Sequence, residues 1–239
     1  MGYDFLYERC RTFFSELKDH RTRNSSIKLA DYFLSAMAIF QLKYPSLLAL
    51  DRGRTRDEDK NLLQVFGVKK IPSDTSLRET LDEVEPSALD PLFGLLFDDV
   101  QAQGGLKRFE VLGGHVLVPM DGVEFFSSAK VHCPHCQMRK SRSEQSPTQY
   151  SHAMLAAVIV KPGTKTVLPL GCEPITKQDG ELKNDHELNA AKRLWEKLWS
   201  RYKNLKIIHL GDALFANGPM IRQIIDAQQS FLLNVKPDS

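Results

Sequence analysis

Two aspartates and one cysteine pair have the type and setting to do chemistry in this chain. Asp121 lies in Val118-Pro-Met-Asp-Gly-Val123, within or just after an apolar run that reads as a strand. Asp212 follows a second such run, in Ile208-His-Leu-Gly-Asp-Ala213. Strands lying side by side would bring both side chains to one sheet edge. Carboxylates held together repel and are best tolerated around a cation. A pair of divalent ions there would polarise a phosphodiester and activate water or a 3′-hydroxyl. The plainer alternative is that Asp121 opens a turn before Gly122 and Asp212 helps cap a helix beginning near Pro219.

The second constellation is His132-Cys-Pro-His-Cys136. Cys133 and Cys136 have the spacing that clasps a tetrahedral Zn²⁺ from a tight turn, but a structural zinc needs four ligands. His132, His135, His152, Cys172 and His186 are candidates for the rest, and reduced thiols in a surface loop are the alternative. Cys10 falls in a helical stretch and reads as a packed side chain.

These residues need elements to place them. The chain of 239 residues is 42% hydrophobic and 26% charged, as expected of a globular protein with a buried core. Residues 1–110 read as a helical domain. Asp4 to Leu17 carries apolar residues near helical spacing, Ser25 or Ser26 is placed to cap a helix through Phe40, and Ile71-Pro-Ser-Asp-Thr-Ser76 is a turn and cap. Beyond Gly114 the period changes. His115–Pro119 with Asp121–Phe126, Ala153–Val160 and Thr166–Leu170 read as strands, with a turn at Pro162-Gly163. Residues 132–149 are polar and read as a loop or small insertion. An amphipathic helix follows over Asp185–Tyr202, then a strand at Leu205–Leu210, a helix from Gly218-Pro219 and a strand at Phe231–Val235. The expected fold is α/β: a helical N-terminal domain, then a mixed sheet with flanking helices over residues 111–239.

Other residues carry quieter readings. Acidic residues at the start of the long helix, Asp185 and Glu187, suit its dipole. Lys183 or Arg193 could meet DNA phosphates. Trp195 and Trp199 read as core, and His209 as a hydrogen-bonded structural histidine. Net charge is +2, with local clusters at Arg52, Arg54, Arg56 and at Lys130, Arg139, Lys140, Arg142, which suit either phosphate contacts or a solvated surface. Four cysteines do not make a disulfide framework, and the N-terminus lacks a secretion signal. No apolar run reaches the ~18–20 residues that span a bilayer. No membrane partner and a cytoplasmic location are therefore expected.

Taken in order, Met120-Asp-Gly-Val-Glu-Phe-Phe-Ser-Ser128, Cys133-Pro-His-Cys136, Gly180-Glu-Leu-Lys-Asn-Asp-His-Glu-Leu-Asn-Ala-Ala-Lys-Arg193 and Gly211-Asp-Ala-Leu-Phe-Ala216 resemble insertion-sequence DDE transposases. Ile71-Pro-Ser-Asp-Thr-Ser-Leu-Arg-Glu-Thr-Leu81 resembles the segment before their catalytic domain. The resemblance implies an RNase H-like core whose three acids bind Mg²⁺ or Mn²⁺ for phosphodiester hydrolysis and strand transfer. Asp121 and Asp212 match the first two acids. The third would be a glutamate on a helix well beyond Phe231–Val235, but the chain stops at Ser239, and Glu181 and Glu187 precede Asp212. A C-terminally truncated, inactive transposase is thus the expectation. Its implied partners are double-stranded DNA, at transposon ends and target, and a second copy of itself, with a nucleoid-associated location. The alternatives are a non-catalytic DNA-binding remnant and a zinc-bearing interaction module.

Overall fold

A computed structural model describes residues 3–22, 24–55, 60–140, 147–176 and 187–235. Glu181, Lys183, Asp185 and His186 lie outside them, as do Arg56 and Arg142. The chain divides into two compact units, Met1–Leu92 and Phe93–Ser239. That division comes earlier than the change of pattern near residue 110, because Phe97, Leu106 and Phe109 are buried in the same core as the sheet.

The first unit is helical. Helices α1 (Tyr3–Glu16), α2 (Leu29–Gln41), α3 (Leu47–Thr55), α4 (Lys60–Gln64) and α5 (Asp74–Asp82) follow one another. Phe14 of α1 stacks on Phe33 of α2 with ring centroids 4.8 Å apart, and Tyr32 joins α2 to α5 through a 2.8 Å hydrogen bond with Ser76. The turn before α5 is the expected one: Ser73 accepts a hydrogen bond from the Ser76 amide. Neither Ser25 nor Ser26 caps α2. The position falls to Lys28, whose side chain makes no cap, and α2 is instead buried along most of its length.

The second unit begins within α6 (Asp90–Ala102) and is built on a mixed sheet. Its strands are β1 (Val116–Ser128), β2 (Gln137–Arg139), β3 (Gln149–Ile159), β4 (Leu168–Ile175), β5 (Ile207–Gly211) and β6 (Ser230–Leu233), with α7 (Glu187–Tyr202) and α8 (Gly218–Asp226) between the later ones. The order is β2-β3-β1-β5-β6, and β4 also pairs with β3. Strands β1, β3 and β4 form an antiparallel meander, whereas β5 runs parallel to β1 and β6 parallel to β5. Strand, strand, strand, helix, strand, helix, strand is the expected run, and the fold is α/β with a helical N-terminal region. Short β2, unexpected from sequence, lies within the polar segment 132–149 and pairs with the start of β3.

The core explains why α7 lies where it does. Ala190, Ala191, Leu194, Trp195 and Leu198 form its buried stripe, meeting Val118, Met120, Leu155, Ala157 and Leu170 from the sheet. Trp199 packs against this core as well. Glu173 on β4 fastens the same helix: Arg193 donates from Nε at 2.6 Å, and Lys197 Nζ lies 2.7 Å from the other carboxylate oxygen. Arg193, read from sequence as a possible phosphate contact, is thus engaged in holding α7 to the sheet. His209 departs from expectation too. It is 4% exposed, its ring sits 4.5 Å from that of Trp195, and neither ring nitrogen has a hydrogen-bond partner among the described residues. Burial pushes its pKa down to about 4, so the ring is neutral at physiological pH.

Candidate functional site: an acidic sheet edge and a thiol–imidazole group

The long strand β1 and the short strand β5 share a parallel ladder from Val116↔Ile207 to Pro119↔Leu210. That ladder stops two residues short of Asp121 and of Asp212, and the same register carried on would set the two level. Asp121 is not a turn residue. It lies inside β1, opposite Ala156 of β3, and its Oδ1 accepts from the Gly122 amide at 2.8 Å. Asp212 sits just past the end of β5, where its Oδ1 accepts from the Leu214 amide at 2.9 Å and its carbonyl from Phe215. It does not cap α8; Asn217 does, accepting from Met220. Both aspartates are exposed, and neither is in an ion pair among the described residues.

A third acid joins them. Glu187, the first residue of α7, lays its carboxyl group over Gly122, so that a β-carbon built there would be 2.8 Å from Glu187 Cδ. Its pKa is raised, first by partial burial and then by the charges of Asp121 and Asp212. All three acids therefore lie within one electrostatic neighbourhood. Chain order sets Glu187 apart from the third acid that the transposase resemblance implies, and its first-turn position is a sufficient structural role. Only the fold brings it to Gly122. A cleft beside it is lined by Gly122, Glu124, Gln137, Arg139, Glu187 and Leu214, with a volume of about 430 Å³.

The cysteines form a separate and tighter group. Cys133 Sγ and Cys136 Sγ are 3.8 Å apart, and His152 Nε2 on β3 lies 3.2 and 3.3 Å from them. A disulfide requires sulfurs about 2.05 Å apart, so these are two thiols sharing one imidazole. Cys136 is buried, and its sulfur accepts from the Cys133 amide. The rings of Phe125 and Phe126 flank His152. Burial, then the charge of His135, lowers the His152 pKa and favours the neutral ring that can ligate. Among the described residues this is the one group of three metal-ligating side chains whose ligand atoms all lie within 4.8 Å of one another, and it could hold a metal ion. The three carboxylates are more widely set. Of the other candidates, His132 stacks on Tyr150 with centroids 4.2 Å apart, and Cys172 lies on β4 outside the group.

Among the described residues, no helix is long and apolar enough to cross a membrane. Compared with known proteins, the chain matches no family model and no curated protein.

Proposed function

We propose that this chain carries the acidic core of a DNA transposase, acting on double-stranded DNA at transposon ends by divalent-metal-dependent phosphodiester hydrolysis and strand transfer. The observation that supports this reading is the parallel register of β1 and β5, whose last pair, Pro119↔Leu210, lies two residues before both Asp121 and Asp212. The strand run also suits an RNase H-like core. Asp121 and Asp212, with Glu187 beside them, would hold Mg²⁺ or Mn²⁺. The donor set fits these ions: it consists of hard carboxylate oxygens, and Asp121 and Asp212 each commit one oxygen to a backbone amide. A spread arrangement also suits Mg²⁺, which keeps several of its waters and needs few carboxylates. The ion supplies charge stabilisation at the phosphate and a more acidic bound water.

The chain's own side chains do the positioning. The hydrogen bond from a backbone amide restrains the rotamer of each aspartate and leaves its other carboxylate oxygen for an ion. Glu187 closes the cluster from the helix side and raises its negative charge, which favours cation uptake. We also infer that Zn²⁺ is the ion suited to the separate cysteine group. Tetrahedral zinc, with bonds of about 2.3 Å to sulfur and 2.0 Å to nitrogen, sets its sulfurs about 3.8 Å apart and each about 3.5 Å from the nitrogen. The Cys133, Cys136 and His152 spacings agree closely with the first figure and within a few tenths of an ångström with the second.

The test is nicking of a supercoiled plasmid bearing the element's ends, with Mn²⁺, by the wild type and by Asp121→Asn and Asp212→Asn. Metal-dependent nicking lost in both variants supports the enzyme. DNA binding without nicking would instead favour a non-catalytic remnant, and neither binding nor nicking would remove DNA from the account.

A further inference from the structure

The cysteine group sits at a structurally critical corner. Strand β2 has three residues, pairs along one side only, and follows Cys136 directly. A three-residue edge strand is held weakly by its own ladder. Its two ends nonetheless line the acidic cleft: Gln137 and Arg139 face it together with Glu124 and Glu187. Arg139 is exposed and makes no ion pair among the described residues, although carboxylates share its cleft. A guanidinium placed in this way is suited to bidentate contact with a phosphate.

We propose that Cys133, Cys136, His152 and His135 form one zinc clasp, and that this clasp holds β2 so that Arg139 can take a DNA phosphate at the mouth of the acidic cleft. His135 is favoured as fourth ligand because it lies in the turn between the two cysteines, from which its ring would turn in to join the three, whereas the ring of His132 is stacked on Tyr150. The clasp ties the loop after β1 to His152, one residue beyond the Gln137↔Ser151 pair where β2 meets β3. Zinc binding and the placement of Arg139 thereby become one property. The proposal rests on the zinc assignment and on DNA as substrate, so its test reads each separately.

Metal content and the Co²⁺ spectrum of the full chain report the clasp. The expected result is one zinc per chain and, on exchange, the intense visible absorption of tetrahedral Co²⁺ with a thiolate charge-transfer band. His135→Ala should weaken that absorption while His132→Ala leaves it unchanged; the opposite pattern overturns the choice of fourth ligand. Absence of zinc with a weak octahedral Co²⁺ spectrum overturns the clasp. Hydrogen exchange then reads β2 without reference to DNA. Chelation should speed exchange at the amides of residues 137–139 and leave β5 protected, and equal protection with and without metal overturns the link to β2.

Arg139→Gln tests the cation. Zinc content and thermal stability should stay at wild-type values while binding to a double-stranded oligonucleotide weakens about tenfold and the salt dependence shallows by about one phosphate contact. Unchanged affinity with zinc in place overturns the role of Arg139 while leaving the zinc assignment standing. Loss of all DNA binding by the zinc-loaded wild type overturns the role together with the transposase reading.

Discussion

The carboxyl group of Glu187 rests on Gly122, the residue next to Asp121, at a distance that leaves no room for a β-carbon. A glycine is needed there for close approach, not for an unusual backbone angle, since Gly122 lies within regular β1. Gly122→Ala should therefore displace Glu187 while leaving the sheet intact. The obstructed group is the end of a flexible side chain, so the stability cost should stay under about 1 kcal/mol. Titration with Mn²⁺ checks the consequence. Affinity should fall in Gly122→Ala and in Glu187→Gln alike, and wild-type affinity in both would remove Glu187 from the cluster.

The same contact sets a pH dependence. Glu187 has its pKa raised in the folded chain, so it binds its proton more tightly there than when unfolded. Stability from this group is thus greatest in acid and falls as pH rises through and above the ordinary value of 4.5. Without divalent ions, Glu187→Gln should be more stable than the wild type at neutral pH and should lose that advantage in acid. Urea denaturation across this range measures the difference. A constant gap between the two proteins would mean that neither partial burial nor the neighbouring aspartates raise the Glu187 pKa.

Asp121→Asn and Asp212→Asn should fold normally. Both sites are exposed, and an amide oxygen can accept the same backbone hydrogen bonds that Oδ1 accepts now. Each change removes a charge from the edge, so Mn²⁺ affinity should weaken by at least about tenfold. Thermal shift with and without Mn²⁺ reads this directly. An undiminished shift in both variants would place the metal elsewhere.

Much of this arrangement is legible in the sequence, and the unread parts share a physical cause. Apolar periodicity finds α7 and the long strands because burial of a face is a local pattern. It splits β1 at Pro119-Met120, although the backbone stays extended and β1 merely changes partners, from β5 on one side to β3 on the other. Strand β2 has no apolar signal, since its order comes from distant residues of β3 and from the cysteine corner. His152 is one of five plausible ligands until the fold selects it. Its alternation with Tyr150 along β3 is the only local hint. Glu187 looks like a dipole residue because what makes it notable, Gly122, is far away in the chain. For His209 the strand pattern predicts burial but carries no information on a missing hydrogen-bond partner.

That histidine supplies an acid-range prediction. The folded pKa of about 4 lies below the unfolded value of 6.5, so the unfolded chain takes up the proton first. Stability is unaffected by this group above pH 6.5 and is lost as pH falls from there toward about 4. The cavity beside it is lined by Val118, Leu170, Trp195, Leu198, Trp199 and Ile207, none of which could offset the charge by titrating. The loss should approach ~3 kcal/mol over that interval. His209→Phe should flatten the slope between the two values. An acid limb as steep as that of the wild type would assign the loss to other groups.

The attachment of α7 to β4 is asymmetric, and the asymmetry can be measured. Glu173 is the buried partner, with its side chain 9% exposed, while Arg193 and Lys197 are 27% and 38% exposed and can reach water. Removing the carboxylate leaves two cations that solvent can accept. Removing the cations strands a carboxylate inside the protein. Replacing Arg193 and Lys197 together with methionine should therefore cost about 3–5 kcal/mol at neutral pH, whereas Glu173→Leu should cost much less, because a packed apolar side chain can replace a buried ionic group at little cost. Chemical denaturation at neutral pH separates the two. If Glu173→Leu proves the more damaging, the ion pair contributes to holding α7 through its attraction and not merely by neutralising a buried charge.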